Sequence, residues 1–374
     1  MAASDASAVE TAAALMRSFA ERTGLEPERP ERRYLWTDAF AVCNFLGLAR
    51  ATREQRYMDL ALRLVERVHA VLGRHRPDDA RTGWLSSLGE RDGEAHPTRG
   101  GLRIGKPLPE RGRGEPLDEH LEWERDGQYF HYLTKWMYAL DQVANATREP
   151  RFNLWARELA EVAHARFSYT PRGAGCPRMV WKMSCDLSRA LVPSMGQHDP
   201  LDGLITCLQL EASAARLGGA ADGPSLARAA ADFSAMLAGA ELRTADPLGL
   251  GGLLSDAHRL AELVERGSSK HAQLLEDLLA AAQDGLRHYA RLGELRQPAS
   301  QRLAFRELGL AIGLASVGMD ARLAACAPYA PLGAGIESFW LEPEHRSNTT
   351  WSEHRDINEV MLATSLVPEG YLRL

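Results

Sequence analysis

One stretch of this chain repeats itself without a gap. Residues 31–69 align with residues 126–164, so that Tyr34 falls on Tyr129 and Leu64 on Leu159. The segment Ala51-Thr52-Arg53-Glu54-Gln55-Arg56-Tyr57 falls on Ala146-Thr147-Arg148-Glu149-Pro150-Arg151-Phe152. In each copy a short polar connector separates two segments of apolar periodicity, the pattern of paired antiparallel helices. Internal repetition constrains the architecture more than any local signal does. A unit that cannot bury its own apolar face must stack on its neighbours.

Further pairs can be read along the chain. The first hairpin joins residues 34–50 to 54–72, and the second spans 126–167. A third pair covers 201–217 and 224–242, a fourth 248–266 and 269–292, and a fifth 299–317 and 320–339. Asp202 precedes Ala215 by the interval that separates Asp38 from Ala51. The last half-pair contains Pro328, Pro331 and two glycines, which weaken it as a helix. One unpaired helix stands at each terminus. Residues 5–21 carry the apolar stripe Val9, Ala12, Leu15, Met16 and Phe19, and residues 353–366 form a helix ended by Pro368 and Gly370. If these two pair with each other, six hairpins close on themselves and no apolar face is left at an open end. The expected fold is therefore all-α, a single (α/α)6 barrel over residues 1–374. The first helix of each pair is richer in apolar and aromatic residues and forms the expected inner layer. Two long irregular stretches, 73–125 and 168–200, are expected to cover the mouth. The first keeps the apolar anchors Trp84, Leu85, Leu88, Leu102, Ile104, Leu108 and Trp123, which suits a lid.

Composition excludes several classes of function. Apolar residues make up 45% and charged residues 25%, enough for an ordinary core. The net charge of −6 argues against nucleic acid as a partner. Five cysteines (Cys43, Cys176, Cys185, Cys207, Cys326) are odd in number and include no Cys-x-x-Cys, so neither a disulfide framework nor a structural zinc site is expected. No apolar run reaches the ~18 residues of a membrane span, and the first residues lack the basic start of a secretory signal. The expected location is cytoplasmic, with no membrane partner. Nothing in the sequence fixes the oligomeric state. Of the 44 basic residues only Lys106, Lys135, Lys182 and Lys270 are lysines, a bias whose simplest source is the base composition of the genome.

In such a barrel all inner helices run the same way, and their N-termini point to one mouth. Helix N-termini offer free amide donors and favour anions, so polar residues at those positions are the candidates for a site. Asp38 lies inside the apolar run Tyr34-Leu-Trp-Thr-Asp-Ala-Phe, where a charge is costly to bury unless paired, and Trp36 is two residues away. Asp126, Gln128 and Tyr129 open the second inner helix. Asp126, Asp199 and Asp246 also stand where a simple helix cap is expected. The densest group runs from Trp181 and Lys182 to Gln197, His198, Asp199 and Asp202, a loop with no folding need for so many polar residues. The spacing of His198, Asp199 and Asp202 matches no strong zinc template, and neither a metal nor another cofactor is expected. A second group is Trp351, Glu353, His354, Arg355 and Asp356, a histidine at a helix start flanked by an acid and a base. Arg99, Arg103, Lys106, Arg111 and Arg113 would make the lid locally basic, which suits an anionic sugar.

The layout resembles the (α/α)6 toroid of the six-hairpin glycosidases and of the N-acylglucosamine 2-epimerase group. That resemblance implies a small carbohydrate as substrate and two competing chemistries. In the first, a glycoside hydrolase uses an acid and a second carboxylate, drawn from Asp38, Asp126, Asp202 and Asp356 on different inner helices. An Asp near the start of an inner helix is similar to the arrangement in unsaturated glucuronyl hydrolases, where the Asp would protonate a vinyl ether. In the second, a sugar 2-epimerase or aldose–ketose isomerase moves a proton between histidines. Trp351 and His354 resemble that family's Trp and catalytic His at the last inner helix. The chain departs from it at the fourth inner helix, which opens Pro247-Leu-Gly-Leu-Gly-Gly where a His is required; His198 or His131 would have to substitute. A non-catalytic carbohydrate-binding toroid is the third alternative.

Overall fold

The connector that joins the two helices of the repeat is built the same way twice in the computed structural model. Thr52 and Thr147 each turn the hydroxyl back to a helical carbonyl, on Leu48 and Val143 at 2.8 Å. The same hydroxyls accept from the backbone N–H of Glu54 (3.2 Å) and Glu149 (3.3 Å). Arg53 and Arg148 both adopt the left-handed conformation, at φ 61° and 62°. Arg56 and Arg151 lie over the rings of Tyr57 and Phe152 at 4.7 and 4.8 Å. The sequence repeat is thus a structural repeat down to a backbone dihedral that an L-residue rarely adopts.

The structure describes residues 2–26, 29–173 and 175–373. In chain order it contains α1 (Ala2–Arg22), α2 (Leu35–Thr52), α3 (Gln55–Leu72), the short α4 (Glu90–Ala95) and α5 (Glu119–Glu124), β1 (Gln128–Tyr129), α6 (Phe130–Thr147) and α7 (Pro150–Phe167). Four short strands follow, β2 (Ser168–Tyr169), β3 (Arg178–Met179), β4 (Lys182–Met183) and β5 (Ala190–Val192). Then come α8 (Asp199–Leu217), α9 (Ala227–Leu237), α10 (Pro247–Glu265), α11 (Ala272–Leu292), α12 (Ala304–Ala315), α13 (Ala330–Leu341), α14 (Pro343–Arg346), α15 (Thr349–Ser352), α16 (Arg355–Leu366) and α17 (Glu369–Leu372). Three expectations need correction. Residues 168–200 are not structureless: β1, β4 and β5 form one antiparallel sheet and β2 and β3 another. The second half of the fifth pair is a 3-10 run over Ala321–Tyr329, containing Pro328, that only then passes into α13. The chain does leave α16 at Leu366, but Pro368 heads one more turn of helix, α17, instead of ending the helical structure. Among the described residues no helix is long and apolar enough to cross a membrane.

The chain divides into two compact units. In the first (Met1–Arg22, Cys43–Met58, Glu241–Leu374) the two terminal helices do pair. α1 packs on α16, and Arg22 bridges them by ion pairs to Asp356 (2.7 Å) and Glu359 (2.8 Å). α10 and α12 approach so closely that a Cβ on Gly251 would meet the carbonyl oxygen of Gly309 at 2.0 Å. The glycine at position 251 in the opening of α10 is therefore required by helix–helix contact. Arg302 clamps Glu307 (2.6 Å) and lies 3.6 Å from the Phe339 ring centroid. The Trp340 indole donates to the same Glu307 carboxylate at 2.8 Å.

In the second unit (Thr23–Val42, Asp59–Ala240) α6 packs on α7 and α8, and α8 on α9. A buried carboxylate ties three of these helices together. Asp141 of α6 accepts from Asn153 of α7 (2.9 Å) and from Gln209 (2.9 Å) and Ser213 (2.8 Å) of α8. Burial raises its pKa, and the three donors pull the other way. Among the described residues all five cysteines are free.

Candidate active site

The second unit gathers a cluster of aromatic side chains at the start of α6 and two carboxyls at the start of α8, the helix that packs on it. Its foundation is the pairing of β1 with β4, which sets Tyr129 opposite Lys182. That pairing leaves no room for a side chain at Gly127, where a Cβ would lie 2.7 Å from the Met183 carbonyl oxygen at φ +147°. The strand runs directly into α6, so Tyr129, His131 and Tyr132 fan out from its first turn. Tyr129 stacks near Trp181 (4.9 Å between centroids) and His131 (5.4 Å). Tyr132 shares a 2.6 Å hydrogen bond with the hydroxyl of Tyr34. Trp36 lies 6.5 Å from Tyr132 and 4.6 Å from Phe40, centroid to centroid.

The Trp181 indole donates to Nδ1 of His131 at 3.2 Å. An indole N–H can only donate, so Nδ1 is the acceptor and the ring proton of neutral His131 sits on Nε2. Burial lowers the His131 pKa to about 4, against the smaller opposing pull of Asp202, so the ring is neutral at pH 7.

The two carboxyls stand one turn apart at the start of α8. Asp202 accepts from Lys135 Nζ at 2.9 Å and faces the Thr134 hydroxyl at 3.5 Å. Lys135 is one turn beyond His131 on α6, so both point from the same helix face. Asp199 is buried, and its Oδ2 has no hydrogen-bond partner in the protein. Burial, and then the negative charge of Asp202, push its pKa up to about 7. The neighbouring loop is shaped around it: a Cβ at Gly196 would meet Asp199 Oδ2 at 2.5 Å. One carboxyl that keeps its proton beside another held by an ammonium is an arrangement suited to proton transfer.

The remaining candidates fall into distinct places. Asp126 is fully buried and accepts from Arg103 (2.6 Å) and from the N–H groups of Gly105 (3.0 Å) and Gly127 (3.1 Å). Arg103 also donates to the carbonyls of Val71 (2.6 Å) and Arg74 (2.7 Å). Gln128 is equally enclosed: it accepts from Leu102 N–H (2.8 Å) and donates to the carbonyls of Cys185 (2.7 Å) and Gly100 (3.0 Å). Gly101 stands where any Cβ would collide with that amide, 2.0 Å from Oε1. Lys182 is buried against Glu122 (2.9 Å) and donates to the Glu122 and Arg125 carbonyls. Asp38 takes the Tyr34 N–H (3.0 Å) and faces Arg33 at 3.4 Å, which resolves the problem of a charge in an apolar run. Gln197 is exposed and His198 half-buried at the N-cap of α8. The cap reading holds for Asp246, which accepts from Gly249 N–H at 2.8 Å, but Asp126 and Asp199 cap no helix.

The other group lies in the first unit. Trp351 is buried against Trp340 at 5.6 Å, while His354 is exposed, edge-on to Phe305 at 5.8 Å. Arg355 pairs with Glu359 (2.7 Å), and Asp356 with Arg22. Among the described residues no group of His, Cys, Asp or Glu is arranged to hold a metal ion.

His131 was legible in the sequence only as a stand-in, and Tyr132 and Lys135 carried no motif. The available signal was composition. In a chain with four lysines among 44 basic residues, three lysines (Lys106, Lys135, Lys182) lie in or beside this cluster. Lysine's compact, strongly hydrated charge does not substitute freely for arginine's planar fork.

Comparison with solved structures gives the fold. A GH76 alpha-mannanase from Bacteroides thetaiotaomicron is similar over 96% of each chain, with a TM-score of 0.56 at 7% identity. Cellobiose 2-epimerases from Spirochaeta thermophila (TM-score 0.49, 13% identity, 88% of this chain and 86% of that one) and Bacillus thermoamylovorans (0.47, 9%, 88% and 87%) are also similar. No family model matches the sequence, and no curated protein matches it. The fold is all-α, of the (α/α)6 toroid class.

Proposed function

We propose that this protein is a carbohydrate-active enzyme that cleaves a glycosidic bond, with Asp199 as the proton donor and Asp202 as the second carboxylate. The observation that carries this reading is the pair itself: a buried Asp199 with an unpartnered Oδ2 and a pKa raised to about 7, one helical turn from an Asp202 that is tied to Lys135. Asp199 delivers its proton to the glycosidic oxygen as the bond to the anomeric carbon breaks. Asp202 stabilises the positive charge that develops there. Water then adds to the anomeric carbon, and the proton it releases returns to the carboxyl pair. The half-buried rings of Tyr132 and Trp181, backed by the buried Tyr129, offer faces for sugar C–H surfaces. The alpha-mannanase that shares the fold is an enzyme of this kind.

The tautomer of His131 supports hydrolysis over epimerisation. An epimerase base needs a free imidazole lone pair. Here Nδ1 receives the Trp181 N–H and Nε2 carries the proton, so His131 serves as a neutral donor to a sugar oxygen. Asp38 and Asp126, both enclosed by their own donors, act in this reading as anchors of α2 and of the lid.

The test is release of aglycone from a panel of aryl glycosides. Asp199→Asn and Asp202→Asn are each expected to lower turnover by a factor on the order of 10²–10⁴ while melting within a few degrees of the parent. Undiminished turnover in both variants rejects the assignment. So does deuterium incorporation at the carbon alpha to the carbonyl of free aldoses without any bond cleavage.

A further inference from the structure

We infer that the short helix α5 carries a subsite for a second sugar ring, and that this ring is uncharged. The inference rests on the hydrolase reading above and extends it from a bond to a substrate class, a neutral oligosaccharide of at least two units.

The first observation is Trp123. At 51% exposure it is the most exposed large apolar side chain among the described residues. It is not a loose surface indole. It stands edge-on to Trp181 at 5.0 Å and beside Tyr129 at 6.3 Å. Trp181 in turn bonds His131, whose ionisation feels Asp202, so ring contacts run from Trp123 inward to the neighbour of that carboxylate. The backbone beneath Trp123 is fixed as well. Its neighbour Glu122 is buried and held by Lys182 and Arg111, each at 2.9 Å. A rigid, half-exposed indole at the outer end of an aromatic wall is suited to stacking on a sugar face.

The second observation is charge. Three of the five lid cations that would recognise an anionic sugar are already engaged, and Arg113 is exposed in a recess lined by Arg76, Arg81 and Arg189 whose lining does not include Trp123. Arg103 is bound to Asp126, Arg111 to Glu122 and Arg99 to Glu158 (2.8 Å). Lys106 makes no ion pair among the described residues, and its ammonium lies 5.6 Å from the Tyr34 ring centroid. Its nearby charges are carboxylates, those of Glu124 and the buried Asp126. Glu124, adjacent to Trp123, is exposed. Beside α5 the charge of Lys106 is thus balanced by that of Glu124, which fits hydroxyl groups and favours a carboxylated ligand little.

The experiment is calorimetric titration of the full chain with neutral manno- and gluco-oligosaccharides of one to four units, and with the corresponding uronides. In the parent, neutral disaccharides should bind more tightly than monosaccharides or uronides. Trp123→Ala should weaken disaccharide binding about tenfold, leave the monosaccharide unchanged, and be partly rescued by Trp123→Phe. Equal weakening for one and two units, no weakening, or tighter binding of uronides would overturn the inference. Turnover on aryl glycosides separates the two levels. Retained turnover without the chain-length effect defeats the subsite alone. The chain-length effect on a bound but uncleaved sugar defeats the hydrolase reading alone, and no binding of any sugar defeats both.

Discussion

Lys135 of α6 and Asp202 of α8, 67 positions apart in the chain, meet at 2.9 Å and join the two helices. That ion pair keeps a negative charge one turn from Asp199, and the charge has a consequence that pH can read. Asp199 is pushed up to about 7, by burial first and by Asp202 second. A proton donor works only while protonated, so aglycone release should fall as pH rises through about 7. Asp202→Asn removes the second cause, so the Asp199 carboxyl should titrate at lower pH, as read by NMR of labelled aspartate. An unmoved midpoint would show that the two groups do not interact.

The same shift predicts a pH-dependent stability. The unfolded carboxyl titrates near about 3.9. The folded value is raised, so the protonated group stabilises the native state fully below that pH, and the contribution is lost as pH rises through about 7. Asp199→Asn has no such dependence. Its melting temperature relative to the parent should therefore increase between pH 4 and pH 8. A constant difference would mean that Asp199 is not buried as described.

Asp126 is enclosed on every side, with Arg103 at 2.6 Å and Arg76 at 3.5 Å. Removing one partner of a buried ion pair leaves the other uncompensated. Asp126→Ala should lower unfolding stability by about 3–5 kcal/mol in urea titration. A loss below about 1 kcal/mol would put Asp126 back among residues retained for chemistry.

The repeat can be tested at one dihedral in each copy. Arg53 and Arg148 hold φ of 61° and 62°, a conformation disfavoured by a Cβ. Replacing either by glycine should stabilise the protein, by roughly 0.5–1 kcal/mol after the larger entropy loss of glycine is allowed for. Opposite signs at the two positions would show that the copies are not structurally equivalent.

The helical hairpins were legible because period and connector are local properties. Apolar spacing, Thr52 and Thr147 at the turns, and the unpaired stretch at each end led to the hairpins and to the contact of α1 with α16. Local signals failed where tertiary contact overrode them. The segments near residues 168–192 became strands because partners were available, whereas the weak helix around Pro328, a 3-10 run, followed its local signal. The glycines at the start of α10 read as the loss of a catalytic motif, when the approach of α12 accounts for Gly251.

By itself the sequence determined that the chain is built of helical hairpins whose end helices pair, and that carboxylates and aromatic rings gather near the helix starts. Only the tertiary structure decided which charges remain available. Arg103, Arg111 and Lys182 looked like ligand-binding cations and are consumed by buried carboxylates, while His131 and Lys135, which carried no motif, stand beside Asp202. The physical reason is range. Helix periodicity is fixed by neighbours within a few residues, whereas ionisation and hydrogen-bond partnership depend on groups that only folding brings within reach.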